Sequence, residues 1–126
     1  MVPKFKGNVL VVEDNPVNQI VLKSQLQRMG LEVDVAENGQ VALDLFNDSS
    51  DYNIIFMDLQ MPVMDGIECT ETIREINEEI PIIAVTANVT DLDKSNCKKC
   101  GMNGFLPKPL QRDELISELD KWLGDK

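Results

Sequence analysis

Four short apolar runs in this chain each stop at a side chain able to bind a charged ligand. Val9-Leu10-Val11-Val12 runs into Glu13-Asp14, and Ile54-Ile55-Phe56-Met57 runs into Asp58. Ile82-Ile83-Ala84-Val85 runs into Thr86, and the weaker Phe105-Leu106-Pro107 runs into Lys108. Unbroken apolar runs of this length fit strands covered on both faces, as in a parallel sheet between helices. Ligands of such open sheets bind just beyond the carboxyl ends of the strands. Parallel strands here therefore bring three acids, one hydroxyl and one ammonium to a single crevice. That donor set suits a divalent cation together with a transferable phosphoryl group.

The remaining pattern supplies the frame. Strand and helix signals alternate five times, which predicts an α/β fold with a parallel sheet. In 31–36, Leu31, Val33 and Val35 alternate with Glu32 and Asp34, the mark of a half-exposed edge strand. The 104–106 strand is short, as an edge strand should be. Asn15 is a candidate N-cap with Pro16 in the first helical turn, and Gly30 closes that helix. Val17, Ile20, Val21, Leu26 and Met29 are expected to form its apolar face. A second helix is predicted over 39–47 with Val41, Ala42, Leu45 and Phe46 inward, and a third over 66–77 with Ile67, Ile73 and Ile76. Leu115, Ile116, Leu119, Trp122 and Leu123 recur at helical spacing near the end. The 90–100 stretch is the weakest helix, with Leu92 its only large apolar residue, and should open or shift cheaply. Right-handed crossovers and these two edges predict a doubly wound, five-stranded parallel sheet of order 2-1-3-4-5 with helices on both faces. The switch-point crevice then lies between the first and third strands, where Glu13, Asp14 and Asp58 sit.

At 126 residues the chain fits one domain, 1–126, with a core over about 8–124. No run of eighteen apolar residues is present to span a membrane, and Met1–Gly7 lacks the apolar stretch of a secretory signal. A cytoplasmic location is expected. The formal net charge of -10 argues against nucleic-acid binding, which needs a basic footprint, and favours basic partners or cations. Cys97 and Cys100 have the CxxC spacing, with Cys69 apart from them. Zinc needs about four ligands and the chain contains no histidine, so reduced thiols on helix faces are expected.

Three carboxylates in one crevice repel one another unless a cation compensates. Magnesium does so with hard oxygen ligands, and it is typically held by one or two carboxylates plus phosphate oxygens. Helix capping next to Pro16 is the competing explanation for Glu13-Asp14. It does not reach Asp58, which ends a wholly apolar run. An ionised Asp58 beside a metal is a nucleophile able to attack phosphorus and form an acyl phosphate. Lys108 and the Thr86 hydroxyl are placed to neutralise phosphoryl oxygens. With no histidine in the chain, the phosphoryl group must come from elsewhere.

The sequence resembles the receiver domains of two-component response regulators over nearly its whole length. The matching pieces are Val11-Val12-Glu13-Asp14-Asn15, Met57-Asp58-Leu59-Gln60-Met61-Pro62-Val63-Met64-Asp65-Gly66, Val85-Thr86-Ala87-Asn88 and Leu106-Pro107-Lys108-Pro109. The resemblance implies that Asp58 is the phosphoacceptor of a signalling domain that is not an enzyme in its own right. It implies that Asp14 binds Mg2+ directly, Glu13 through a water, and that Asp58 and the Gln60 carbonyl complete the protein ligands. Lys108 would contact the phosphoryl group, with a cis bond to Pro109. Thr86 and Phe105 would be the switch pair, Phe105 replacing the more common tyrosine. Glu13-Asp14-Asn15-Pro16-Val17-Asn18-Gln19 and the cysteine–Gly101-Met102-Asn103 pattern resemble hybrid histidine kinase receivers. Those imply a histidine kinase or a histidine-containing phosphotransfer domain as partner, docked on the active-site loops and the helix starting near Asn15, with Asn18 and Gln19 on or near that surface.

Three other functions compete. A dehalogenase-type, metal-dependent phosphatase also uses a strand-end aspartate, but carries a second one two residues on, where this chain has Gln60. A flavodoxin-type flavin module would want a Ser/Thr-rich loop after the first strand. A non-phosphorylated interaction module would show losses among the acids or the lysine, and none is lost.

Overall fold

The computed structural model describes residues 5–48, 52–59, 66–86, 95, 98–108 and 110–123. Five strands form one sheet: β1 (Asn8–Val12), β2 (Glu32–Ala36), β3 (Ile54–Asp58), β4 (Ile82–Thr86) and β5 (Gly104–Pro107). Their order is β2-β1-β3-β4-β5 and every pairing is parallel, as the apolar runs predict. Helices α1 (Pro16–Arg28), α2 (Gly39–Asp48), α3 (Gly66–Ile76) and α4 (Arg112–Leu123) are described between and after them. Of the weak 90–100 stretch, Ser95 and Lys98–Cys100 fall among the described residues and are helical. Leu92 and Cys97 lie outside the described residues.

Alternation along each inner strand feeds two cores. Leu10, Val12, Ile55, Met57, Ile82 and Ala84 pack with Ala42, Phe46, Cys69 and Ile73 of α2 and α3. Val9, Val11, Ile54, Phe56, Ile83 and Val85 pack with Leu22, Leu26, Leu115 and Leu119 of α1 and α4. The edge strand β2 shows the expected alternation, with Glu32 and Asp34 exposed and Val33 and Val35 half-buried. Cys69 and Cys100 are buried thiols.

Two helix faces differ from the sequence expectation. Asn15 caps α1 through Oδ1, which accepts from Val17 N (2.9 Å) and Asn18 N (3.2 Å). Gly30, at φ 94°, closes the other end as the left-handed residue expected after Met29. Leu22, Leu26 and Met29, at i, i+4 and i+7, turn inward on one face. Val17, Ile20 and Val21 are left 67%, 69% and 50% exposed, so they are not core residues. On α3, Ile76 is exposed, while Cys69 and Thr70 take the buried positions beside Ile73.

The two faces of α1 should respond oppositely to truncation. Leu26→Ala is expected to cost about 2–5 kcal/mol through lost burial and a residual cavity. Ile20→Ala should stay within about 0.5 kcal/mol. Urea unfolding midpoints of the two variants against the parent check this; equal losses would place Ile20 in the core.

Candidate functional site

Register brings the strand ends level. Val12 pairs with Met57, and Asp58 with Val85, so Glu13 and Asp58 emerge from adjacent strands and Thr86 follows on the next. The ladder continues past the strands: Glu13 N–H donates to the Ala36 carbonyl (3.0 Å), and Lys108 N–H to the Thr86 carbonyl (2.9 Å). Glu13, Asp58 and Thr86 are buried, and Asp14 is exposed at the lip.

Lys108 ties the set together. Its Nζ donates to Glu13 Oε1 at 2.8 Å and to Asp58 Oδ2 at 3.3 Å, reaching from the edge strand β5 across to β1. Carboxylate oxygens of Glu13, Asp14 and Asp58 lie within 4.8 Å of one another. The loop into α1 is fixed at two further points. Asn15 N–H donates to Glu13 Oε2 (3.3 Å), and the Gln19 side-chain amide donates to the Glu13 carbonyl (2.6 Å). Below Asp58, α3 starts so close to β3 that a Cβ on Gly66 would sit 2.3 Å from the Asp58 carbonyl oxygen. Only glycine fits there.

These contacts set the charge states. Burial raises the pKa of Glu13, but hydrogen bonding with Asp58, Lys108 and the Asn15 N–H outweighs it and brings the group down to about 2. For Lys108, burial disfavours the charge, yet the Glu13 and Asp58 carboxylates raise its pKa above the usual lysine value. Among the described residues, three acids against one ammonium leave the crevice net negative. Three carboxylates gathered this closely suit a small hard cation, which takes oxygen ligands.

The chain matches the model of the response regulator receiver domain family over residues 9–120. It is 45% identical over 120 residues to the osmosensing histidine protein kinase SLN1 of Saccharomyces cerevisiae, covering 90% of this chain and 10% of that protein. Among solved structures it resembles the receiver domain of the sensor histidine kinase PA1611 from Pseudomonas aeruginosa, whose active-site cleft holds a coordinated magnesium ion. The TM-score is 0.87 at 39% identity, covering 95% of this chain and 99% of that one. It also resembles a chain of the co-crystal structure of the Saccharomyces cerevisiae histidine phosphotransfer signaling protein Ypd1 and the receiver domain of its downstream response regulator Ssk1, at TM-score 0.86 and 34% identity, covering 97% of this chain and 90% of that one. The chain belongs to the response regulator receiver domain family and is a receiver domain of two-component signalling. It spans 10% or less of the length of the first curated relatives it matches.

Of the site residues read from sequence, Glu13, Asp14, Asp58 and Lys108 come together, with Thr86 at the end of the neighbouring strand. Phe105 is half-buried on β5 and packs against the α2–α3 core. Gln60, Met61–Asp65, Asn88 and Pro109 lie outside the described residues. Asn18 and Gln19 are half-buried, and Gln19 is committed to the Glu13 carbonyl. The sequence reading missed the Arg74 contacts. Its guanidinium donates to the Gly101 carbonyl (2.8 Å and 3.0 Å), to Asn103 Oδ1 (2.7 Å) and to the Asn77 carbonyl (3.2 Å), fixing the approach to β5. No local signal announces a partner 27 residues away; an arginine at the end of α3 reads only as favourable to the helix dipole.

The Lys108 bridge has a pH signature. The folded pKa of Glu13 lies below its usual 4.5, so its stabilisation is present above that pH and is lost as pH falls toward 2. In metal-free buffer, Lys108→Met should destabilise the domain at neutral pH, with the deficit shrinking over that acid window. Urea midpoints taken across pH for both proteins check it; a deficit independent of pH would mean lost packing instead.

Proposed function

We propose that this domain, with its core over about 8–124, accepts a phosphoryl group on Asp58 from a phosphohistidine and thereby switches the surface around residues 86–110. The observation that carries the reading is the Lys108 ammonium bridging Glu13 and Asp58, with Asp14 beside them. A Mg2+ ion held by Glu13, Asp14, Asp58 and the Gln60 carbonyl would neutralise phosphoryl charge as it develops. An Asp58 carboxylate oxygen forms the new O–P bond while the donor N–P bond breaks and its electron pair returns to the imidazole. Lys108 leaves its carboxylate partners to meet a phosphoryl oxygen, and the Thr86 hydroxyl approaches another. The domain is a phosphoacceptor that assists its own phosphorylation and hydrolysis.

The donor is a histidine kinase or a histidine-containing phosphotransfer domain. Support comes from the Ssk1 receiver, solved in complex with Ypd1, and from α1. Its exposed Val17 and Ile20 follow the Asn15 cap beside the acidic lip and offer apolar contact to a docking partner. A cytoplasmic setting belongs to the same reading.

A hydrogen bond to a charged phosphoryl group contributes about 1.5–3 kcal/mol, enough to shift a two-state population about ten- to a hundredfold. Burial of the Phe105 ring would follow, without the hydroxyl that a tyrosine would bring. Lys108→Ala should leave phosphorylation detectable but impair the switch. Amide shift changes on phosphorylation check this, and a parent-like response would sink the assigned role of Lys108.

Intact-mass analysis after incubation with acetyl phosphate and Mg2+, beside Asp58→Asn, tests the reaction. A magnesium-dependent phosphoryl adduct is expected in the parent and absent from the variant. Steady phosphate release with no adduct would favour a hydrolase instead. A folded, magnesium-loaded protein that takes no adduct from either acetyl phosphate or a phosphorylated histidine phosphotransfer protein would be an interaction module.

A further inference from the structure

On the sheet face covered by α1 and α4, a cavity of about 250 Å3 opens directly beside the acidic residues. Its floor is Val11, Phe56 and Val85, and its walls include Val21 of α1 and Leu110 ahead of α4. Glu13, Asp58 and Lys108 form its polar side. An apolar cavity of about 150 Å3 holds a benzene ring, so this one has room for a ring and a short alkyl arm. The floor belongs to the rigid inner strands, whereas Val21 is half-exposed and gives the cavity an open side.

Charge selects the ligand class. Among the described residues, the rim carries Glu13 and Asp58, with Asp14 within 4.8 Å, against the ammonium of Lys108. An anionic head would meet net negative charge, and a neutral head would leave that charge uncompensated. A protonated amine or amidine on an apolar body satisfies both halves of the site.

We propose that this cavity is a second ligand site, for a small amphipathic organic cation whose apolar body lies over Val11, Phe56 and Val85. Its head pairs with Glu13 and Asp58 and excludes the metal. The exclusion rests on the reading of these acids as the magnesium site. Occupancy would hold the domain unphosphorylated, a form of control acting beside the phosphoacceptor and not through a protein partner.

The probe is 3-phenylpropylamine, compared with 3-phenylpropanol (the same body without the charge) and methylamine (the head alone). Binding to the full chain is followed by methyl resonances of Val21, Leu22, Val85 and Leu110. The amine should bind about tenfold or more tighter than methylamine, since apolar pockets discriminate at that level per group filled. It should also bind tighter than the alcohol. Mg2+ at ten times its own dissociation constant should weaken the amine about tenfold by competition. Val21→Phe and Leu110→Phe, which fill the cavity from opposite walls, should each weaken the amine and leave Mg2+ affinity unchanged. Equal binding of alcohol and amine, no competition by Mg2+, or parent-like amine binding in both filled variants would overturn the proposal. The Asp58 adduct formed without amine is read separately. If it forms and the amine fails these tests, only the second site falls.

Discussion

One ammonium holding two carboxylates is the contact on which the domain turns. Lys108 stands at the end of β5, a four-residue edge strand, yet its Nζ reaches Glu13 beyond β1. Removing it would leave two acids facing each other in a partly buried crevice, and breaking such a pair is more costly than the pair is stabilising. The same contact ties β1, β3 and β5 at their carboxyl ends, spanning β4 between them. The proposed chemistry asks Lys108 to exchange its carboxylate partners for a phosphoryl oxygen. A tie used this way has to be strong enough to order the site and still exchangeable, which its partial exposure allows.

The lysine is positioned from both ends of its strand. At the carboxyl end, Lys108 N–H extends the ladder onto the Thr86 carbonyl. At the amino end, Asn103 exchanges two hydrogen bonds with Ile82, one through its backbone N–H and one through Oδ1, and Arg74 holds the adjoining Gly101 carbonyl and Asn103 Oδ1. Helix α3 therefore grips β5 at its entry and, through Gly66, packs against Asp58 at its own start. Asp58 and Lys108 are referenced to the same helix. Thr86 and Phe105 lie between those two anchor points, on paired strands β4 and β5.

The parallel order and the meeting of the acids with Lys108 were legible because each rests on a short-range rule with a long-range consequence. Unbroken apolar runs such as Ile82–Val85 announce doubly covered strands, and parallel strands must present their ends together. The alternation in 31–36 marked its edge position for the same reason. Helix faces were less legible. Val17, Ile20 and Val21 are as apolar as Leu22 and Leu26, so composition alone leaves the phase of α1 open. The packing of Leu22 and Leu26 against the sheet decides it, and that contact has no local signature. The Arg74 network and the cavity under Val21 and Leu110 were invisible in one dimension because their members come from distant segments. What the sequence encodes locally is which side chains reach the rim, not the space left beneath it.

Helix α1 carries three requirements at once, and they explain its weak segregation of polar from apolar residues. Its first turn must cap and also hold the Glu13 loop, which commits Asn15 and Gln19 to polar contacts. Its inward face closes the core through Leu22, Leu26 and Met29. Its outward face keeps Val17 and Ile20 in solvent. A single exposed aliphatic residue needs no explanation, but two on successive turns beside the net-negative lip place apolar surface next to charge. A basic partner with an apolar docking face would match both features, steered by the charge and retained by the contact. Because Val17 and Ile20 contribute little to folding, that surface can change its partner preference without disturbing the acids it flanks. On the proposed reading, the phosphoryl chemistry rests on the strand-end residues and the choice of donor on the outward face of α1, so the two can be altered independently.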